Sequence, residues 1–322
     1  MDYDRHVDAR AEQILAAVRQ SGRNSMWSVH AQLHTQAEAA DLADQVIEAV
    51  DRTLYEIVAG GDDAKLGGPF HILPAMLLLC RWEAVMDSAA IESIRSFFLE
   101  GVQARGNTEN HWLMYYAGLL LACESFADSD FSWNGLPPAA LAAEAKRWIL
   151  GTIERTARLG HHEYDSTHYH TEHMVAYVGL YEHSCDEYLR AQCEKKLSVL
   201  IADMALEYFK GAWAGGHSRE GYRRNTWTRS GAVQPLNYLY FGDIEFNPRI
   251  HSGGFDTPIA IASYRPPALL CEIALDRAKA HVVKKTRAPR NIYRHAKHDP
   301  TPVRKYTYMS RSFALGSTQL GL

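Results

Sequence analysis

The chain is 322 residues long, 47% hydrophobic and 22% charged, with a formal net charge of −4. That is enough apolar surface for one large core or two smaller ones, and it carries no basic footprint for a nucleic-acid partner and no acidic disordered tail. Five scattered cysteines without a CxxC pair, a charged N-terminus without an apolar signal core, and no apolar run long enough to cross a bilayer predict reduced thiols, a cytoplasmic address and no membrane partner.

Helical periodicity dominates. An amphipathic helix is predicted over 4–20, with Ile14, Leu15 and Val18 on one side and Gly22 as its stop. A second runs over 38–58, and Pro69 opens a third, strongly apolar one reaching 85. A fourth covers 88–102. Asn107 or Thr108 caps a buried helix ending near Phe126, and Pro137-Pro138 start another that stops at Gly160. Two long helices follow over 166–184 and 186–209, then a glycine-punctuated region with shorter helices near 233–241, 258–264 and 268–278. From Lys284 the chain is basic and extended, with β-like alternation at Tyr306, Tyr308, Ser310 and Ser312 up to Phe313, and it closes on GSTQLGL without a terminal helix or closing turn. This tail is expected to be the first part of a β segment whose continuation is short or missing.

No repeat of 20–50 residues is present. What recurs is a pairing of helices, one more apolar than its partner. The expected fold is therefore mainly α, an (α/α) toroid or incomplete toroid of helix hairpins over residues 1–283, with an extended linker and short β segment over 284–322. A stack of helix hairpins has the same texture.

Three clusters concentrate polar chemistry. The first is Asn107-Thr108-Glu109-Asn110-His111 at the start of the most buried helix, followed by Trp112 and Tyr115. Asn107, His111 and Tyr115 share one helical face, and free amides at a helix start favour a bound carboxylate. The plainer reading is a cap followed by a core histidine. The second runs from His161 to His173. With Ser166 as cap, Tyr169, His173 and Tyr177 form a stripe beside Glu172, and this is read as an active-site wall. It also fits a polar helix start, or a metal site using His170 and His173, although HExxH is absent. The third is Gly215-Gly216-His217-Ser218-Arg219, continuing to Tyr222 and Trp227; Arg219 is suited to clamp a carboxylate, or is merely a solvated surface arginine. Neither GxxxxGK[ST] nor GxGxxG occurs, and no cofactor is implied.

The NTENH start, the ExxSxxY pattern at Glu163, Ser166 and Tyr169, and the GGxxRxxY pattern at Gly215, Gly216, Arg219 and Tyr222 resemble α/α-toroid polysaccharide lyases of the alginate-lyase and heparinase II/III type. The resemblance covers about residues 100–225 by motif. It departs from the family pattern in the histidine-rich stretch 161–173. It implies an oligo- or polysaccharide partner containing uronic acid, cleaved by β-elimination. Asn107, Asn110 and His111 then hold the substrate carboxylate, and Tyr169 is the acid/base, with His173 or His168 as its partner. Arg219 is the cation that favours a tyrosinate. Trp112, Tyr222 and Trp227 are sugar-stacking candidates, with Tyr115, Glu109, Glu163 and His168 also lining the substrate site. The same scaffold class hosts glycoside hydrolases, for which Glu109, Glu163 and Glu172 offer carboxylate pairs. An (α/α) enzyme of non-carbohydrate chemistry and a non-catalytic helical scaffold are the remaining alternatives, and fold alone does not separate them.

Overall fold

A computed structural model of the chain describes residues 3–36, 40–58, 67–100, 103–127, 135–219, 231–249, 254–288 and 302–319. Among them the chain is mainly helical: α1 (Tyr3–Gln20), α2 (Val29–Gln36), α3 (Ala40–Val58), α4 (Pro69–Trp82), α5 (Ser88–Glu100), α6 (Glu109–Ser125), α7 (Pro138–Leu159), α8 (Tyr169–His183), α9 (Glu187–Leu206), α10 (Gln234–Phe241), α11 (Asp256–Ala260) and α12 (Ala268–Leu275). No helix is long and apolar enough to cross a membrane among the described residues, and all five cysteines are free.

Three helices form the centre. α4, α6 and α8 pack on one another. In α6, 13 of its 17 residues are buried, so it must be enclosed on every side rather than along one stripe. The amphipathic α7 covers α6, α9 covers α8 and contacts α7, and α3 pairs with α5. Close approach at the centre depends on Gly118 of α6, where a Cβ would lie 2.5 Å from Ile72 Cγ2 of α4. Enclosed α6 and α8 are thus each covered by the helix that follows in the chain.

Several boundaries differ from expectation for local reasons. α2 is unforeseen because VHAQLHTQ is too short to show a period; burial of Val29, Ala31 and Leu33 holds it. α8 begins at Tyr169, not Ser166. The Ser166 hydroxyl does accept the Tyr169 N–H at 3.0 Å, but Asp165 beside it is left-handed (φ 49°) and the preceding stretch is not helical. α9 ends at Leu206, because Tyr208–Phe209 (β1) folds back on Ala212–Trp213 (β2) through Lys210 and Gly211, both at positive φ.

The tail forms an antiparallel meander of β3 (His281–Arg287), β4 (Val303–Met309) and β5 (Ala314–Gln319). β3 runs across position 284. The alternation stops at Met309, because Ser310 and Phe313 close a turn (Ser310 N–H to Phe313 O, 2.9 Å) and the GST segment continues as the third strand.

The sheet is fixed to the helices by buried charge. Asp165, Asp203 and Glu207 from the helical part face Lys285, Arg287 and Lys305 from β3 and β4. Arg287 donates to Asp165 at 2.9 Å and contacts Asp203 at 2.7 Å; Lys285 donates to Glu207 at 2.6 Å; Lys305 bonds Asp165. Thr307 adds a 2.6 Å bond to Glu207. Burial alone would raise the Asp165 pKa, but Lys285, Lys305 and Arg287 outweigh it and hold the carboxyl well below its ordinary value of 3.8. Asp203 is likewise lowered, burial being outweighed by Lys285 and Arg287.

A depressed carboxyl contributes stability that is present above its unfolded pKa and lost as pH falls through the folded one. Burial also keeps neutral His30 (about 3) and His170 (about 4) below their ordinary 6.5, and each contributes stability that declines as pH falls below 6.5. Thermal melts from pH 7 to 3 should therefore show one loss setting in below pH 6.5 and a second below about pH 3.8. Lys305→Met should cost roughly 3–5 kcal/mol at pH 7 by urea denaturation and shrink only the second loss. Melts independent of pH across the lower window in the wild type would refute this account.

Candidate functional site

The site is assembled at the N-terminus of α6. Thr108 is the cap, its hydroxyl accepting the His111 N–H at 3.4 Å. The segment between α7 and α8 crosses this helix start and makes a reciprocal clasp. Glu163 accepts the Asn110 N–H at 3.0 Å, while Glu109 accepts the Glu163 N–H at 3.1 Å. Free amides and the partial positive charge of a helix start attract a carboxylate. Here that carboxylate is the protein's own Glu163 and not one supplied by a substrate.

The remaining groups build on Glu163. Arg219 donates to its other oxygen, and to the Tyr169 hydroxyl at 2.9 Å; the guanidinium carbon lies 4.3 Å from the Tyr169 ring centre. Asn110 donates its side-chain amide to Glu172 and accepts from the Thr108 hydroxyl at 2.5 Å. His168 Nε2 lies 3.7 Å from Glu172 Oε1, and the His111 ring stands edge-on to Phe70 at 5.1 Å. His173 Nε2 approaches Glu163 to 3.8 Å.

Burial divides the set into a floor and a mouth. Asn110, Glu163, Glu172 and His173 are at most 2% exposed. His111, His168, Tyr169 and Arg219 are half-buried and reach the surface. Burial raises the Glu163 carboxyl, opposed by the Asn110 N–H; it raises Glu172 to about 8, helped by the Glu163 charge. Burial lowers His173, and lowers His111 with help from Arg219.

The other expected site residues are spread unevenly around this centre. Asn107 is exposed and precedes the cap, and among the described residues no hydrogen bond joins it to the cluster. The Asn110 side chain is fully buried, donating to Glu172 and accepting from Thr108. Trp112 lies two residues beyond Asn110, about 200° around the helix. It packs on Arg105 (3.8 Å) and near Trp148. Tyr115 packs on Tyr116 at 5.2 Å, and burial raises its pKa to about 12. His170 stands edge-on to Trp213 at 4.8 Å, whereas His173 stacks on His161, so these two histidines do not form a shared pair. Tyr222 and Trp227 lie outside the described residues.

Sequence reasoning placed Glu109 and Glu163 in the substrate site but missed their mutual clasp, and it gave no particular role to His161. A run such as HHEYDS shows polarity, but not which side chains turn inward. Comparison with protein-family models, with curated proteins and with solved structures finds no match to this chain.

Arg219 and Glu163 should be strongly coupled, because Glu163 is buried and Arg219 is its cationic partner. Arg219→Ala should destabilise by about 3 kcal/mol. Combining it with Glu163→Gln should recover much of that loss, with a coupling of more than ~1.5 kcal/mol in a denaturation cycle. Simple additivity of the two changes would contradict the pairing.

Proposed function

We propose that this chain is a carbohydrate-active enzyme, a lyase that cleaves a uronate-containing glycan by β-elimination on an (α/α) toroid scaffold. The observation that carries the reading is the 2.9 Å hydrogen bond from Arg219 to the Tyr169 hydroxyl at the half-buried mouth. An adjacent guanidinium stabilises a phenolate, and Tyr169 is thereby suited to take a weakly acidic carbon-bound proton.

The steps follow from the chemistry of elimination. Tyr169 removes the C5 proton; the electron pair forms the C4–C5 double bond as the C4–O bond breaks. The leaving oxygen then takes a proton from Tyr169 or from a histidine at the mouth, His168 or His111. Charge accumulating on the uronate carboxylate needs cationic or hydrogen-bonding groups nearby, and among the described residues Arg219, His111 and His168 reach the mouth. Glu163 holds Arg219 in place, and Asn110 with Glu172 supports the start of α8. These three act by positioning.

A hydrolase would need two carboxylates flanking the glycosidic bond. Glu109, Glu163 and Glu172 are 9%, 2% and 1% exposed, and each accepts a hydrogen bond from a protein group, whereas the tyrosine reaches the surface. That contrast favours elimination.

The test is a panel of uronate-containing polysaccharides, followed by absorbance of the unsaturated uronate. One substrate should give a rising signal, and Tyr169→Phe should reduce kcat by roughly 10²–10⁴-fold without unfolding the chain. New reducing ends without the ultraviolet band would replace elimination with hydrolysis, and silence across the panel in both assays would sink the carbohydrate reading.

A further inference from the structure

The tail sheet departs from the usual pattern of an antiparallel sheet, which is apolar toward the core and polar toward water. Its inward side chains include Lys285, Arg287 and Lys305, held by Glu207, Asp203 and Asp165. Successive side chains alternate between faces, so Lys284, Arg304, Tyr306 and Tyr308 point outward. On that outer face Tyr308 stands between Val282 of β3 and Leu315 of β5, and Tyr306 between Lys284 and Ser317. Val282, Tyr306 and Leu315 are 42%, 43% and 67% exposed, and the Phe313 ring lies 5.7 Å from that of Tyr308. None of these side chains belongs to the packed core. Exposed rings and aliphatic groups rimmed by polar residues mark interaction surfaces.

The charge on this face has one sign. Lys284, Arg304 and Arg311 are exposed, and among the described residues none of the three makes an ion pair. Residues 281–288 and 302–319 contain no Asp or Glu. The inward cations seat the sheet, and the outward ones have no such task. A second copy of the chain is a poor occupant, because stacking two of these faces would bring like charges together. A nucleic-acid strand is disfavoured by the chain's net charge of −4. We propose that the outer face of the β3–β4–β5 sheet binds an acidic polysaccharide, as a surface separate from the Tyr169 mouth.

An acidic polysaccharide repeats the two chemistries this face offers. Each uronate ring has a C–H side that packs on an aromatic ring and a carboxylate that pairs with Lys or Arg. Tyr306 has Lys284 opposite it on β3 and Arg304 two positions earlier on β4. Directly opposed neighbours lie about 5 Å apart and i, i+2 neighbours about 7 Å, so one ring is flanked by two cations. Arg304 itself stands between Thr286 and Gln319, whose hydroxyl and amide suit sugar hydroxyls. The face also adjoins the candidate site. A Cβ on Gly316 of β5 would stand 2.4 Å from Gly215 Cα, and Arg219 follows four residues after Gly215. A polymer retained on the sheet raises the local concentration of its own segments near the mouth. The choice of a glycan among polyanions rests on the lyase reading.

The full chain, as wild type and as Tyr169→Phe, should be run by affinity electrophoresis in gels containing alginate, polygalacturonate or heparin, with neutral dextran as control. At least one acidic polymer should retard both forms, dextran should not, and the effect should weaken as salt is raised. Lys284→Ala combined with Tyr306→Ala should lower the affinity about 10-fold or more. Both side chains are exposed, so circular dichroism and the rate on short uronate oligosaccharides should stay unchanged. Arg304→Ala should act in the same direction. No retardation of the wild type by any acidic polymer would overturn the surface. Retardation unchanged in the double variant would assign binding to the mouth alone and overturn it too. Preference for a poly-thymidine strand or for phosphatidylserine vesicles over every acidic glycan would overturn the choice of partner. Retention lost in the double variant, with no unsaturated product from any polymer, would keep the surface and sink the lyase reading. Unsaturated product with retention intact in the double variant would do the reverse.

Discussion

The organisation of the molecule depends on a buried, charge-balanced contact between its two structural textures. Three carboxylates from the helical part, Asp165, Asp203 and Glu207, meet three cations from the sheet, Lys285, Arg287 and Lys305. Unpaired, any of these charges would be expensive to bury; paired, they allow a basic, short sheet to lie against helices without a large apolar face of its own. The apolar contact there is correspondingly small, built from Ala214, Val283 and Met309.

Asp165 transmits this constraint to the candidate site. It stands two residues after Glu163 and three before His168, in a left-handed conformation that Asp tolerates better than most side chains. Its carboxyl faces the sheet cations, and its backbone carbonyl accepts from His217 Nδ1 at 2.5 Å. The segment between α7 and α8 is thus tied on one side to the sheet. On the other it clasps the start of α6 through Glu163 and Glu109. The position of Arg219, and with it the Tyr169 hydroxyl, follows from where Glu163 is held.

The helix start itself is the second organising element. Four polar residues before a long apolar run look, as sequence, like a place for a ligand carboxylate. The folded chain supplies that carboxylate from its own segment 53 residues away. The consequence is a layered site: a buried floor of Asn110, Glu163, Glu172 and His173, and a mouth of His111, His168, Tyr169 and Arg219. Groups in the floor hold the groups in the mouth, and among the described residues of the cluster those in the mouth are the ones that reach the surface.

Much of the helical organisation was legible in one dimension, because periodicity, prolines at helix starts and glycines at helix stops are local signals. α1, α4, α6 and α7 follow from them to within a few residues, as does the enclosed character of α6. α2 and β5 were not legible, since eight half-polar residues and a GST strand acquire their structure from packing and pairing. The sequence by itself determined where polar residue types gather, including the Tyr169 and Arg219 that end in contact. Only the tertiary structure decided which of them turn inward. It packed Trp112 on Arg105 and Tyr115 on Tyr116, left Asn107 exposed, and set Glu109 beside His161. The physical reason is that hydrogen-bond and charge partners here come from elements more than 50 positions apart, and no local pattern encodes which donor a buried carboxylate will meet.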